Sequence, residues 1–280
     1  MRALQYTEFG GPEVLRIADV PVPEAGPDQV RIEVRAAAVN PADTKKRRGL
    51  WGGDLPVIPG FDAAGVVEGT GERVFGAAAG GACAEQAVLA HWAAMPEDLS
   101  FEEAAGFVTT AETAVRSLDL VGVREGATVV IVGASGGVGS AAVQFAVARG
   151  ARVIGTTSPA NHDYLRALGA EAVAHDALSD VSGRVDAGFD TAGRGAVSTL
   201  IELTGDASRV VTIADFDAGE LGAHVTSRPS AWHALQEAAD LYAAGRFSIP
   251  VADVYAFEDA AEAHRRSEEG HVRGKLILVP

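Results

Sequence analysis

Val129-Val130-Ile131-Val132, followed directly by Gly133-Ala134-Ser135-Gly136-Gly137-Val138-Gly139, limits what this chain can fold into more than any other stretch of it. The first four residues are β-branched and apolar, the mark of a strand buried on both faces. The glycines then demand a turn, and a helix over 138–149 follows that ends at Arg149-Gly150. The uncharged run from Val129 to Ala148 has the length of a membrane span, but its four glycines and two serines read as strand, turn and helix instead.

A strand feeding a glycine turn at the start of a helix is what a dinucleotide pyrophosphate requires. Missing side chains let the phosphates approach, and the helix offers unpaired N–H groups and the positive end of its dipole. The register is A-x-G-x-x-G, with Ala134, Gly136 and Gly139 at its three positions. A glycine loop with a purely steric role is the alternative, and the strand–turn–helix context favours nucleotide binding. About twenty residues further on, a site preferring NAD places Asp or Glu on the ribose hydroxyls. Here the second strand ends in Gly155-Thr156-Thr157-Ser158, which offers hydroxyls and no carboxylate and so favours NADP over NAD. No Arg or Lys follows before Arg166, and His162 is the nearest candidate cation.

Around this segment the chain divides by texture. From Met1 to about Arg116, short extended runs at 30–39, 62–69, 72–76 and 84–90 are separated by Gly and Pro, which predicts a β-rich unit. From about Thr113, a helix over Ala111–Val121 precedes strands at 128–133, 151–157 and 172–176 that alternate with helices over 138–149 and 159–168; 186–193 and 208–214 add two more buried strands. That alternation predicts βαβ units and a parallel sheet with covered faces. A helix over Trp232–Ala244, capped by Gly245, leads to a tail of strand, amphipathic helix (DAAEAHRRSEEG) and apolar strand (KLILVP). The tail has the texture of the N-terminal part and is expected to return to it. A chain of 280 residues exceeds the roughly 250 at which single cores stop growing. The expected domains are therefore 1–115, 116–244 and a return over 245–280.

The 48% hydrophobic content excludes a mostly disordered chain, and the net charge of −15 argues against nucleic acid or an anionic membrane as the main partner. Cys83, the single cysteine, forbids an intramolecular disulfide or a multi-cysteine zinc site and suits a reducing cytoplasm. The opening MRALQYTEFGGPEVL shows no secretory signal.

Four segments in order resemble the zinc-independent quinone oxidoreductase (zeta-crystallin-like) branch of the medium-chain dehydrogenase/reductase superfamily. They are GGPEVLRIADVPVPEAGPDQVRIEVRAAAVNPADTKKRRG (10–49), IPGFDAAGVVE (58–68), AAGFVTTAETAVRSLDLVGVREGATVVIVGASGGVG (104–139) and FEDAAEAHRRSEEGHVRGKLILVP (257–280). The resemblance implies an α/β chain in which a Rossmann doubly wound parallel sheet is inserted into a β-rich GroES-like domain, with NADPH between the two. It implies hydride transfer to quinones, enones or related activated alkenes, and a homodimer. Carried over by position, Ala134, Ser135, Gly136, Gly137, Val138 and Gly139 would cradle the pyrophosphate, and Thr157, Ser158 and His162 would lie near the adenosine phosphate. Thr113 and Asn40 would lie near the nicotinamide, with Ala192, Ile213 and the stretch from Arg273 to Lys275 also on the coenzyme.

Zinc-dependent relatives carry a cysteine where this chain has Asn40 and a histidine where it has Phe61, so neither usual zinc site can be assembled. Of the seven histidines only His264 and His271 lie close together, and both are expected at the surface. Without a Lewis acid, alcohol oxidation is disfavoured. Three residues are candidates for the catalytic end. Asn40 either donates a hydrogen bond to the substrate carbonyl or the coenzyme carboxamide, or steadies the turn before Pro41. Lys45, where some members carry a tyrosine, either stabilises developing negative charge or is one solvated cation of the run 45–48; Asp43 is expected to pair with one of those cations rather than act as a base. Asp176 stands where some members place a tyrosine on the adenosine phosphate. Trp51, Phe61, Phe107 and Phe216 are expected in an apolar pocket or in the core. An enoyl-thioester reductase, or a nucleotide-binding partner without turnover, would carry the same features.

Overall fold

The structure is a computed structural model that describes residues 1–270 and 272–280; His271 lies outside the described residues. Two compact units form, one from Met1–Thr109 with Leu235–Pro280 and one from Thr110–Ala234.

In the first unit β1 (Arg2–Gln5) and β2 (Arg16–Asp19) make an antiparallel hairpin. The strands β3 (Val30–Val39), β4 (Asp62–Val67), β5 (Arg73–Ala78) and β6 (Gln86–Ala94) run antiparallel in sequence order, and β3 also pairs with β6, so the four close on themselves. β3 alternates at first, with Ile32 and Val34 inside and Glu33 and Arg35 outside. From Ala36 to Val39 every residue is buried, where a distant strand joins its other edge. Helix α1 (Pro41–Arg47) follows β3 at once. It was not expected from the sequence, because seven residues with a charged run carry no apolar period. Pro41 starts it, and the Asp43 carboxylate accepts the N–H of Asn40 (2.8 Å), one half of a capping box. Helix α2 (Phe101–Leu120) begins ten residues before the expected Ala111. A capping box sets that start: Ser100 Oγ accepts the Glu103 N–H at 3.2 Å, and the Glu103 carboxylate accepts the Ser100 N–H at 3.4 Å.

The second unit continues with β7 (Thr128–Val132), α3 (Gly137–Ala148), β8 (Arg152–Thr157), α4 (His162–Ala167), β9 (Glu171–Ala174), β10 (Ala187–Asp190), α5 (Val197–Thr204), β11 (Val210–Thr212) and β12 (His224–Val225). All pairings are parallel, in the order β9-β8-β7-β10-β11-β12, the doubly wound Rossmann arrangement. β7 is buried along its whole length, and Val130, Val132, Ile154, Val197 and Leu200 share one core cluster. The strand expected over 172–176 stops at Ala174, and His175–Asp180 coils into a 3-10 turn. The strand order reverses between β7 and β10, and the carboxyl ends of strands at such a reversal are where doubly wound sheets bind ligands.

The chain then returns to the first unit through α6 (Ala234–Ala243), β13 (Val251–Ala256), α7 (Ala260–Glu269) and β14 (Lys275–Val279). β14 pairs antiparallel with β3, Leu276 opposite Val39, and β13 lies parallel on its outer edge. Phe107 is core, edge-on to Phe75 and Phe247. No helix among the described residues is long and apolar enough to cross a membrane, and Val129–Ala148 is divided between β7 and α3.

Candidate active site

In the second unit the glycine turn separates glycines the fold needs from one it does not. Gly133 has φ 74°, in the left-handed region that favours glycine. A Cβ on Gly139 would stand 2.2 Å from Gly133 O and 2.8 Å from Ala134 Cα, so α3 can approach the turn only without one. Gly136, the N-cap of α3, has φ −75° and ψ 172°, open to any residue, and a Cβ there would meet nothing nearer than Gly133 O at 3.4 Å. Neither backbone nor packing asks for glycine at 136; the space in front of it is kept clear of side chain. Gly137, Val138 and Gly139 open the helix, where N–H groups lack an acceptor within the helix.

At the end of β8 the hydroxyls gather. Thr157 Oγ1 donates to Ser135 Oγ at 2.6 Å, and Asn161 Nδ2 reaches Ser135 Oγ at 3.4 Å and Ser158 Oγ at 3.3 Å. His162 places a buried Nε2 beside them in sequence, with no hydrogen-bond partner among the described residues. Asn161 was not anticipated; its signal was the polar amide three residues after Ser158, in the turn that opens α4. Past β10, the buried Asp190 carboxylate accepts the N–H groups of Ala192 (3.0 Å) and Gly193 (3.1 Å) and the hydroxyl of Thr212 (2.8 Å). The N–H of Ile213 donates to the Asp190 carbonyl (3.2 Å), so one residue anchors both Ala192 and Ile213 at the switch point. Thr113 is buried on α2, its hydroxyl 3.4 Å from both Glu112 and Arg116, which are ion-paired to each other. A clear space over Gly136, an open helix start and a group of hydroxyls without a carboxylate fit a phosphorylated dinucleotide.

In the first unit α1 and the starts of β4 and β14 bring three ionisable groups into the interior. Asp43 is buried, its two oxygens taking the N–H groups of Asn40 (2.8 Å) and Gly60 (3.0 Å). Burial pushes its carboxyl up to about 7, against the pull of these two donors. It does not pair with the neighbouring cations as expected, because at the third position of α1 its short side chain reaches only the helix's own start and Gly60. The cations are not uniformly solvated either: Arg47 is fully buried and ion-paired to Glu268, and Lys46 lies 5.5 Å from the Phe61 ring centroid. Lys45 is half-buried. Asp43, Tyr6, Lys46, Ile58 and Phe61 are among the residues lining a cavity of about 240 Å³. Trp51 and Phe216 are exposed, at 54% and 51%, and lie outside the core.

Asn40 is buried, its side chain held at both ends. Nδ2 donates to Asp62 Oδ2 at 2.9 Å, and Oδ1 accepts a hydrogen bond from Lys275 Nζ. Asp62 also takes the hydroxyl (2.5 Å) and the N–H (3.2 Å) of Thr109. Burial raises the Asp62 carboxyl and lowers the Lys275 ammonium, and for each the other's charge is the largest opposing influence. The amine of Lys275 thus turns into the first unit, while Arg273 is exposed. Asp62 was not picked out from the sequence. The signal was a lone charge opening each of two apolar strands, Asp62 in DAAGVV and Lys275 in KLILV.

His264 is not at the surface as expected: it is buried on the inner face of α7, and burial together with Arg47 pushes its pKa down to about 3. The zinc that this architecture can carry does not fit these residues. An ammonium already sits on Asn40 Oδ1, and Cys83, the one thiol, is buried with its pKa pushed well up, away from the thiolate a metal needs. Among the described residues no group of three or more His, Cys, Asp and Glu could hold a metal ion.

Comparison with known proteins agrees with this geometry. Residues 26–170 match the family described as alcohol dehydrogenase GroES-like domain, and residues 168–278 match the family described as zinc-binding dehydrogenase. The chain is 31% identical to 2-methylene-furan-3-one reductase of Solanum lycopersicum, over all of this chain and 79% of that one. It is 28% identical to the chloroplastic NADPH-dependent alkenal/one oxidoreductase of Arabidopsis thaliana, over all of this chain and 80% of that one. The structure of a quinone oxidoreductase from Coxiella burnetii superposes with a TM-score of 0.88 at 30% identity, covering all of this chain and 99% of the other. Fold, glycine turn and sequence together show that the chain belongs to the medium-chain dehydrogenase/reductase family of oxidoreductases, in its quinone oxidoreductase branch.

Proposed function

We propose that this chain reduces a quinone or an α,β-unsaturated carbonyl with NADPH and without zinc. The observation that carries the reading is the space over Gly136, which neither its backbone angles nor its neighbours require. In the second unit the backbone from Ala134 to Gly139 holds the diphosphate at the start of α3, and Ser135, Thr157, Ser158, Asn161 and His162 receive the adenosine phosphate. Thr113, Ala192 and Ile213 complete the coenzyme contacts of the second unit. When bound, a reduced nicotinamide supplies a hydride for the electrophilic carbon of a conjugated carbonyl. Asn40 offers an N–H to the carbonyl oxygen as negative charge develops there, a task that in zinc-dependent relatives falls to the metal. Asp43 keeps α1, and with it Asn40, in place through its bonds to Asn40 N and Gly60 N. Lys45, half-buried on the same helix, adds positive charge to the carbonyl's surroundings. The names of the two plant relatives and of the Coxiella structure support a quinone or enone as acceptor.

The test is the oxidation of NADPH followed by absorbance with small quinones and enones. Acceptor-dependent turnover that survives exhaustive dialysis against a zinc chelator is expected. Tight NADPH binding with no turnover on either acceptor class would overturn the reading, and loss of rate on chelation, restored by zinc, would overturn its metal-free part.

A further inference from the structure

Asn40, Asp62, Thr109 and Lys275 form a buried network in which every contact has a fixed direction. An ammonium can only donate and a carboxylate only accept. Lys275 Nζ therefore claims Asn40 Oδ1, and Asp62 Oδ2 claims one hydrogen of Asn40 Nδ2. The amide cannot turn over without setting its oxygen against a carboxylate and its NH₂ against an ammonium. One hydrogen of Nδ2 is left without an acceptor among the described residues. Thr109 holds Asp62 in turn through its hydroxyl and its backbone N–H, so the acceptor end is itself immobilised.

We propose that Lys275 is a positioning residue for carbonyl reduction: with Asp62 it locks the Asn40 amide in the single orientation that leaves one Nδ2–H for the substrate oxygen. The lock also polarises the amide. A cation on Oδ1 draws electron density from the nitrogen and makes the remaining N–H a stronger donor, as in any hydrogen-bonded chain ending in a charge. The inference rests on the role given to Asn40 above, and it changes the role that family resemblance implies for Lys275, from holding coenzyme to holding Asn40.

Lys275→Met removes the donor with little change in length, whereas Lys275→Gln keeps N–H donors without the charge. The expected result is a fall of about 10- to 100-fold in kcat for the Met variant, below the 10²–10³ for loss of a whole oxyanion donor. NADPH affinity by fluorescence titration should stay within about twofold, and the Gln variant should recover most of the rate. A kcat within twofold of wild type in the Met variant would overturn the proposal. So would equal losses in both variants, or weakened NADPH binding at unchanged kcat. Should the variants fail to fold, the wild-type protein still decides. In ¹⁵N spectra of the coenzyme-free chain, the Asn40 side-chain hydrogen donated to Asp62 should be protected from solvent exchange. Exchange as fast as in an unfolded peptide would refute the lock. Because that signature needs no turnover, it stands or falls apart from the assigned activity.

Discussion

At the scale of single residues, Gly136 and Gly139 look alike in the fingerprint and differ in cause. Gly139→Ala drives a Cβ into backbone 2.2 Å away and should destabilise the chain by about 2 kcal/mol or more, measured by urea denaturation. Gly136→Ala should lower stability by less than about 1 kcal/mol, the scale of an N-cap change, while weakening NADPH binding at least tenfold. Equal stability losses in the two, or unaltered affinity in Gly136→Ala, would contradict the assignment. Ser158→Asp places a carboxylate among the hydroxyls of Ser135, Thr157 and Asn161 and should weaken NADPH more than NADH in calorimetric titration; an unchanged ratio would place the phosphate elsewhere. The glycine turn was legible in the sequence because its neighbours are adjacent in the chain. What the letters could not say was which glycine serves the protein and which the ligand, since that depends on the space in front of each.

Among the elements, α1 and α7 show where pattern reading succeeds and where it stops. α7 was legible because small apolar residues recur at helical spacing in an otherwise charged stretch; His264, expected at the surface, joins Ala260 and Ala263 on its buried face. α1 was not, because its helicity comes from Pro41, the Asp43 bond to Asn40 and its packing rather than from any apolar period. The two helices are joined by the ion pair between Arg47 Nη2, its residue fully buried, and Glu268, a quarter exposed; Arg47 Nε and Nη1 have no hydrogen-bond partner among the described residues. Removing the carboxylate takes the largest compensating charge from a buried guanidinium and leaves only weaker ones such as Glu13. Glu268→Gln is therefore expected to lose about 3 kcal/mol in urea denaturation, and a change below about 0.5 kcal/mol would mean that solvent already screens the pair. The charged run 45–48 hid this role, since nothing in four successive cations marks the one that turns inward.

For the whole molecule the buried titrating groups predict opposed responses to pH. Asp43 has a carboxyl raised from 3.8 to about 7, so the folded chain keeps a proton the unfolded chain releases; its contribution to stability falls as pH rises through that window. His264 is lowered from 6.5 to about 3, so the unfolded chain takes a proton the folded one refuses; its contribution falls as pH drops through 6.5 towards 3. Where the windows overlap, the two slopes oppose each other. Relative to wild type, the Tm of His264→Gln should rise on acidification from about pH 6 to about 4.5, and that of Asp43→Asn should fall over the same range. Parallel curves for all three proteins would show that neither group titrates as described. The doubly wound sheet was readable from alternating strands and helices, because each βαβ unit is local in the chain. The site in the first unit was not, because Asn40 and Lys275 are 235 residues apart and meet only through the register of β14 on β3.

That register has a consequence for how the protein comes into being. β3 leaves the ribosome early, yet β14, which covers its second edge and delivers the ammonium to Asn40, emerges only after the whole of the second unit. The second unit, a continuous stretch of chain, can complete its fold during translation, while the first waits with an open edge and a buried carboxylate lacking its counter-charge. Competence for reduction is thus withheld from the nascent polypeptide until β14 is released.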